Sequence, residues 1–293
     1  MLIYDAHNHP DWHGHDLNKF LANMDEMGIR KTWLLSHECG EDEYSRHYWN
    51  VTPGKLLGED HGPIPFSRVL SYVERAPERF IPGYCPDPRT PDACGKLYAA
   101  NQIYGARVCG ELKVRMTYDS PDAIRLFQLA GELGMPVTFH LQYDLRQDWR
   151  EPRTEWWGGD IDAIERALQK CPKTIFCGHA PGFWIHISGD DLYAKTNYPP
   201  LVDGRLKVQP GGRLLELLRK YDNLYCDLSA GSGCMALRRD PEFALGFFQE
   251  FQDRLLYARD YFDNQHQEFI NSLNLSQDIL SKVYAGNAIR LVP

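Results

Sequence analysis

Short apolar runs alternate along the whole chain with longer stretches of helical periodicity. Eight runs are apolar nearly throughout rather than strictly alternating: 1–6, 31–36, 79–84, 106–114, 135–140, 173–179, 223–229 and 254–259. That pattern predicts parallel strands buried on both faces. Between them, residues 16–28 place Leu17, Phe20, Leu21, Met24 and Met27 at helical spacing and end on Gly28, a C-cap signal. Residues 120–134 open on Ser-Pro, suited to an N-cap and first helical position, and close on Gly134. Stretches 65–77, 91–105, 160–171, 211–221, 240–251 and 276–292 predict helices in the same way.

Eight strand–helix units in 293 residues predict one α/β domain over 1–293, a closed single (β/α)8 TIM barrel. A doubly wound open sheet competes. It fits less well, because no glycine-rich phosphate turn follows the first strand and eight consecutive units suit closure. Three long connections, 37–64, 141–158 and 180–210, follow strands. They therefore fall on the C-terminal face of a barrel, where active sites are built.

Composition narrows the partners more than the fold. With 43% hydrophobic and 25% charged residues, the chain is an ordinary globular one. A net charge of -8 and the lack of a basic run argue against nucleic acid as a partner. The eight cysteines form no CxxC pair, and several sit inside apolar runs as small hydrophobes, which fits a reducing compartment. The N-terminal apolar stretch is broken by Asp5, and no long apolar run follows. The expectation is a soluble cytoplasmic protein with a small-molecule substrate and no nucleic-acid or membrane partner. Assembly into a homo-oligomer is left open.

The candidate chemistry lies at strand ends. His7 and His9 stand two apart at the end of the first run and share a face if extended. His140 ends the fifth run, His179 ends the sixth, and Asp260 follows the eighth. Alone, each has an ordinary structural explanation, and the chain holds a second HxH, His13 and His15, read as surface or rim residues. Together they converge in a closed barrel. Three imidazoles and a carboxylate with open positions suit catalytic Zn2+ or a similar divalent ion.

At "DAHNHP", "GMPVTFH", "FCGHAPGFW", "NLYCDLSAGSG", "RLLYARDYFD" and "KVYAGNAIRLV", the sequence resembles the amidohydrolase superfamily. The closer likeness is to its amidohydrolase-related branch of metal-dependent hydrolases and decarboxylases, and it spans essentially the whole chain. The resemblance implies that His7, His9, His140 and Asp260 are metal ligands and that Asp260 doubles as general base. It makes His179 either a second-metal ligand or a residue that orients substrate. Strand four decides the metal count: "CGELKV" offers Glu111 and Lys113 on one face. Glu111 is read as a ligand, against the alternative of a buried Glu111–Lys113 ion pair. Lys113 is then a cation near the substrate. Arg259, where the superfamily usually has Ser or Thr, either holds a substrate carboxylate or points into the barrel wall.

The expected cofactor is one or two divalent ions, Zn first, with Mn or Fe as alternatives. The expected function is hydrolysis of an amide, ester or lactone in a small molecule, with metal-activated water as nucleophile. His179, Arg259 and Lys113 are candidates to stabilise the oxyanion. Competing readings are a non-hydrolytic decarboxylase of an aromatic or heteroaromatic acid, a phosphoesterase or nuclease, and a catalytically silent binding barrel. Tyr48, Trp49, Trp149, Trp156, Trp157 and Trp184 are candidate pocket walls for a ring-shaped group, or else packing between loops. His37 is a pocket residue without a role, His61 and His186 carry no assignment, and Arg238 and Arg239 read as a solvated pair.

Overall fold

A computed structural model describes residues 1–40, 43, 64–143, 156–190 and 206–293. Every apolar run coincides with a strand in whole or in part. These are β1 (Tyr4–Asn8), β2 (Lys31–Leu35), β3 (Phe80–Gly83), β4 (Cys109–Leu112), β5 (Val137–His140), β6 (Phe176–His179), β7 (Leu224–Asp227) and β8 (Leu255–Leu256). All pairings within the two ladders, β1-β2-β3 and β4-β5-β6-β7-β8, are parallel. A parallel bridge between Gly83 and Val108 joins β3 to β4. Backbone bonds from Ala6 N–H to the Tyr257 carbonyl and from Asp260 N–H to the His7 carbonyl, both 2.9 Å, join β8 to β1. The sheet is closed, and the fold is the (β/α)8 barrel expected from the pattern.

The strands are shorter than their apolar runs. In a barrel the strands tilt and stagger, so ladder pairing covers only part of each run.

Helices α1 (Leu17–Glu26), α2 (Phe66–Arg75), α3 (Ala93–Tyr104), α4 (Pro121–Glu132), α5 (Ile161–Lys170) and α6 (Arg213–Lys220) match the predicted stretches. Their starts are chemically fixed: Asp16, Ser120 and Asp160 each accept a hydrogen bond from the backbone N–H three residues on. In α4, Ala123, Leu126, Phe127 and Ala130 form the buried stripe. After β7 come α7 (Ala230–Arg238) and the expected α8 (Pro241–Phe251), and after β8 comes α9 (Gln265–Ser272). Helix α7 is hidden in the sequence by its glycines, and Gly233 has a packing reason. A Cβ there would lie 2.5 Å from the Leu228 carbonyl oxygen.

The last predicted helix, 276–292, is in three pieces, with a π-helical turn at Lys282–Gly286. The wide turn brings Asn287 inward, where its Nδ2 donates to the carbonyls of Gln252 and Leu255 at 2.7 and 2.9 Å. The chain end is thereby tied beneath β8. The main core lies between strands and helices. A smaller cluster takes Trp33, Leu35, Val108, Cys177, Tyr225, Leu256 and Ala258, alternate strand residues that fill the barrel interior, and Ala288 and Val292 pack against them. With that interior plugged by apolar side chains, polar groups gather at the opposite, C-terminal end.

Candidate metal centre

The strand ends bring together the residues marked by sequence. Across β1 and β2 the register shifts between Asp5 and Asn8, the kind of irregularity that re-aims side chains. His7 and His9 then converge, with Nε2 atoms 3.2 Å apart. Glu111 from β4 stands between two groups of imidazoles. Its Oε2 lies 3.3 Å from His9 Nε2 and 3.8 Å from His7 Nε2. Its Oε1 lies 2.9 Å from His140 Nδ1 and 3.1 Å from His179 Nε2. Asp260 Oδ1 is 3.5 Å from His9 Nε2 and 3.9 Å from His7 Nε2. Three overlapping groups have donor atoms within 4.8 Å of one another: His7/His9/Glu111, His7/His179/Asp260 and Glu111/His140/His179.

A proton inventory tests whether these residues suit a cation. His7 Nδ1 meets Asp227 Oδ2 at 2.6 Å, and His9 Nδ1 meets the Leu35 carbonyl at 2.9 Å. His179 Nδ1 lies 3.0 Å from Ser229 Oγ, and His140 Nε2 lies 3.0 Å from Gln142 Oε1. Each outer contact offers an acceptor for the ring N–H. With those N–H groups directed outward, Nε2 of His7, His9 and His179 and Nδ1 of His140 are the nitrogens that would present lone pairs to a cation, His7 after loss of the proton it holds in the metal-free protein. They face each other, Glu111 and Asp260, whose buried Oδ1 has no hydrogen-bond partner among the described residues. Converging lone pairs with outward-donating rings are the arrangement of metal-binding histidines. The donor set fits one or two divalent cations.

Asp227 and Ser229 went unmarked in the sequence. The available signal was an acid closing the apolar run "NLYCD". Both are buried, and the Ser229 N–H donates to Asp227 Oδ1 at 2.9 Å, so the end of β7 and the turn after it supply the outer support for two imidazoles.

Electrostatics agree. Burial works against charge on His7, but the carboxylates of Asp227, Asp260 and Glu111 outweigh it and raise the metal-free imidazole to about 10. Burial also opposes ionisation of Glu111. The His140, His179, His9 and His7 rings around it nevertheless hold its carboxyl well below the usual range in the metal-free protein. Burial, then the Lys113 charge, lowers His140 to about 3, so it is neutral and ready to ligate. In the metal-free protein, the raised His7 pKa contributes stability fully below pH 6.5, and that contribution is lost as pH rises through about 10. A cation must displace this proton. Metal affinity is therefore expected to rise with pH, by up to about tenfold per unit for one proton displaced, until it levels near pH 10. Calorimetric titrations in buffers of different ionisation enthalpy would measure the released proton, and a flat pH dependence would refute the exchange.

Other expectations divide. Arg259 points into the barrel wall: its Nε donates to Asp5 Oδ2 at 2.9 Å and its Nη1 to Asn23 Oδ1 at 2.8 Å. Its part as an oxyanion donor is thereby corrected, since Asp5 and α1 hold the guanidinium outside the ladder. Trp184 is also corrected as a pocket wall, being fully buried with Nε1 donating to the Asp227 carbonyl at 3.3 Å. Trp156 packs on the main core. Trp157 is at the centre, its ring edge against His140 at 5.4 Å and the Lys113 ammonium 4.6 Å above it. His37 is buried and bonded to the Lys113 carbonyl at 2.7 Å, and burial lowers it to about 3. His186 bonds to the Tyr143 hydroxyl. Arg239 is buried and paired with Asp190 at 2.6 Å rather than solvated. His13 is exposed as expected of a rim residue. Tyr48, Trp49, His61 and Trp149 lie outside the described residues.

Comparison with known proteins adds the family. Residues 65–293 match the family described as amidohydrolase. That span leaves out His7 and His9, which the closed barrel itself brings to the centre. No curated protein matches the chain at a significant level. Solved structures match over its full length. An uncharacterized TIM-barrel protein from Bordetella bronchiseptica is 16% identical, with TM-score 0.63, covering 100% of this chain and 98% of that one. A dihydroxybenzoic acid decarboxylase from Polaromonas sp. JS666, solved with manganese and 2-nitroresorcinol, is 14% identical with TM-score 0.59, covering 99% and 96%. A protein from Pseudomonas putida described as a 2-pyrone-4,6-dicarboxylic acid hydrolase is 17% identical with TM-score 0.58, covering 99% and 97%. At such identities the likeness speaks for the fold.

Proposed function

The chain belongs to the amidohydrolase family, and on that footing we propose that it is a divalent-metal-dependent hydrolase of an amide, ester or lactone bond in a small molecule. The observation that carries this reading is the division of Glu111, with one oxygen toward His7 and His9 and the other toward His140 and His179. Such a carboxylate suits a pair of cations: one on His7, His9, Glu111 and Asp260, the other on Glu111, His140 and His179. Divalent ions there would supply Lewis acidity, lowering the pKa of a water from about 15.7 to about 7 and polarising the scissile carbonyl.

The protein's own groups do the rest. Asp260 Oδ1, buried and without a hydrogen-bond partner among the described residues, accepts the proton of the attacking water and returns it to the leaving group. Asp227, Ser229, Leu35 and Gln142 hold the four rings in the required tautomers. Lys113 over Trp157 presents a positive charge at the edge of the centre, placed to meet an anionic group of the substrate or the developing oxyanion. Decarboxylation of an aromatic acid is the second reading, and it is supported by the presence of decarboxylases among the structural matches. An arginine turned toward the substrate would strengthen it, but Arg259 is engaged by Asp5.

Protein purified without chelator is expected to carry about two divalent ions per chain. In a panel of lactones, amides, esters and aromatic acids, a hydrolytic activity is expected that chelation removes and Zn2+ or Mn2+ restores. Release of CO2 from an aromatic acid with no hydrolysis across the panel would replace this reading with the decarboxylase.

A further inference from the structure

The loop Asp11–His15 lies outside the donor set, yet it belongs to a seam fastened residue by residue to the segment that carries Asp260. Asp5 binds Arg259 at 2.9 Å, and Trp12 Nε1–H donates to the Asp260 carbonyl at 2.6 Å. Asn8 Nδ2 donates to the Tyr261 carbonyl at 2.9 Å, and the His13 ring meets the Tyr261 ring at 5.0 Å. The His15 ring stacks on Phe262 at 3.7 Å.

Trp12 is the central stitch. It is 4% exposed, its ring lies 5.0 Å from that of His9, and it is flanked by Asp11 and His13 at φ 58° and 48°. From α2, Arg68 Nε and the Tyr72 hydroxyl clamp Asp11 at 2.7 and 3.0 Å. Asp260 itself has φ 56°, a left-handed conformation that a non-glycine residue keeps only when its surroundings hold it. The His7 carbonyl accepts its N–H at 2.9 Å, and Trp12 donates to its carbonyl. Both peptides that flank Asp260 are fixed.

We propose that Trp12 is a positioning residue for Asp260: its indole N–H locks the peptide that follows the aspartate and so aims Oδ1 at the Nε2 atoms of His7 and His9. What Asp260 does rests on the metal-centre reading, but how it is held does not.

Trp12→Phe keeps a ring against His9 and deletes the donor. Mn2+ affinity of the metal-stripped protein, read by electron paramagnetic resonance of the free ion, is expected to weaken about tenfold. In an Asp260→Ala background the same change is expected to cost less than about twofold, because the carboxylate being aimed is gone. Equal losses in both backgrounds, or no loss in the first, would overturn the proposal. Trp12→His places Nε2 where the indole nitrogen lies and is expected to bind Mn2+ nearly as the wild type does. This variant carries the test if Trp12→Phe does not fold, and a loss as large as that of Asp260→Ala would then count against the proposal. A crystal structure of Trp12→Phe is expected to show Asp260 outside the left-handed region. An unchanged Asp260 φ would overturn the proposal even if the wild type bound no Mn2+, a result that by itself would remove only the metal reading.

Discussion

Replacing Glu111 by Gln is expected to cut the bound divalent metal from about two ions per chain to at most one and to lower kcat/KM by about 10³-fold. The two Glu111 oxygens serve separate imidazole pairs, at 2.9–3.8 Å. An amide keeps one carbonyl oxygen, but it loses the negative charge and turns an NH2 toward one pair. That pair then faces a donor where it needs an anion. A cation at such a site stabilises the transition state by several kcal/mol, and each 1.4 kcal/mol is about tenfold in rate. Elemental analysis after dialysis, beside steady-state kinetics, would check both halves. Two ions retained in Glu111→Gln would show that the carboxylate joins no pair of cations.

Asp260→Asn is the second large effect, expected to lower kcat by 10²–10⁴-fold, roughly the worth of a general base, while KM changes little. Asparagine is the informative choice because it tolerates the left-handed backbone nearly as well as aspartate does. The φ of 56° and the bonds to His7 and Trp12 should therefore survive, and the defect can be assigned to the missing proton acceptor. Metal affinity is expected to weaken as the ligand loses its charge, so the loss of kcat is read at saturating metal, where it should persist. More than about a tenth of wild-type kcat would exclude Asp260 as the base.

Legibility varied by residue for physical reasons. His140 and His179 stood out because each closes an apolar run, and a polar group there marks the point where a buried strand meets the barrel mouth. His7 and His9 were readable as a pair, although nothing local distinguished them from His13 and His15. The difference lies in β1, which carries the first pair to the interior while the second rides on a loop. Glu111 was readable as a carboxylate near the site, but its division between two imidazole pairs was not. Arg259 was undecidable, since β8 has only two paired residues, too few for alternation to say which way the next side chain points.

The sequence by itself determined the architecture and marked the candidate donors. Burial of apolar surface is non-directional and proportional to area, so its periodicity can be read along one dimension, and eight units of one kind leave few ways to close. What only the tertiary structure decided was the pairing of groups far apart in the chain. His7 meets Asp227, His179 meets Ser229, and the Asp260 carbonyl accepts from Trp12. Hydrogen bonds are directional and act over about 3 Å. Their partners are set by where the closed barrel brings each strand end, and no local pattern encodes that position.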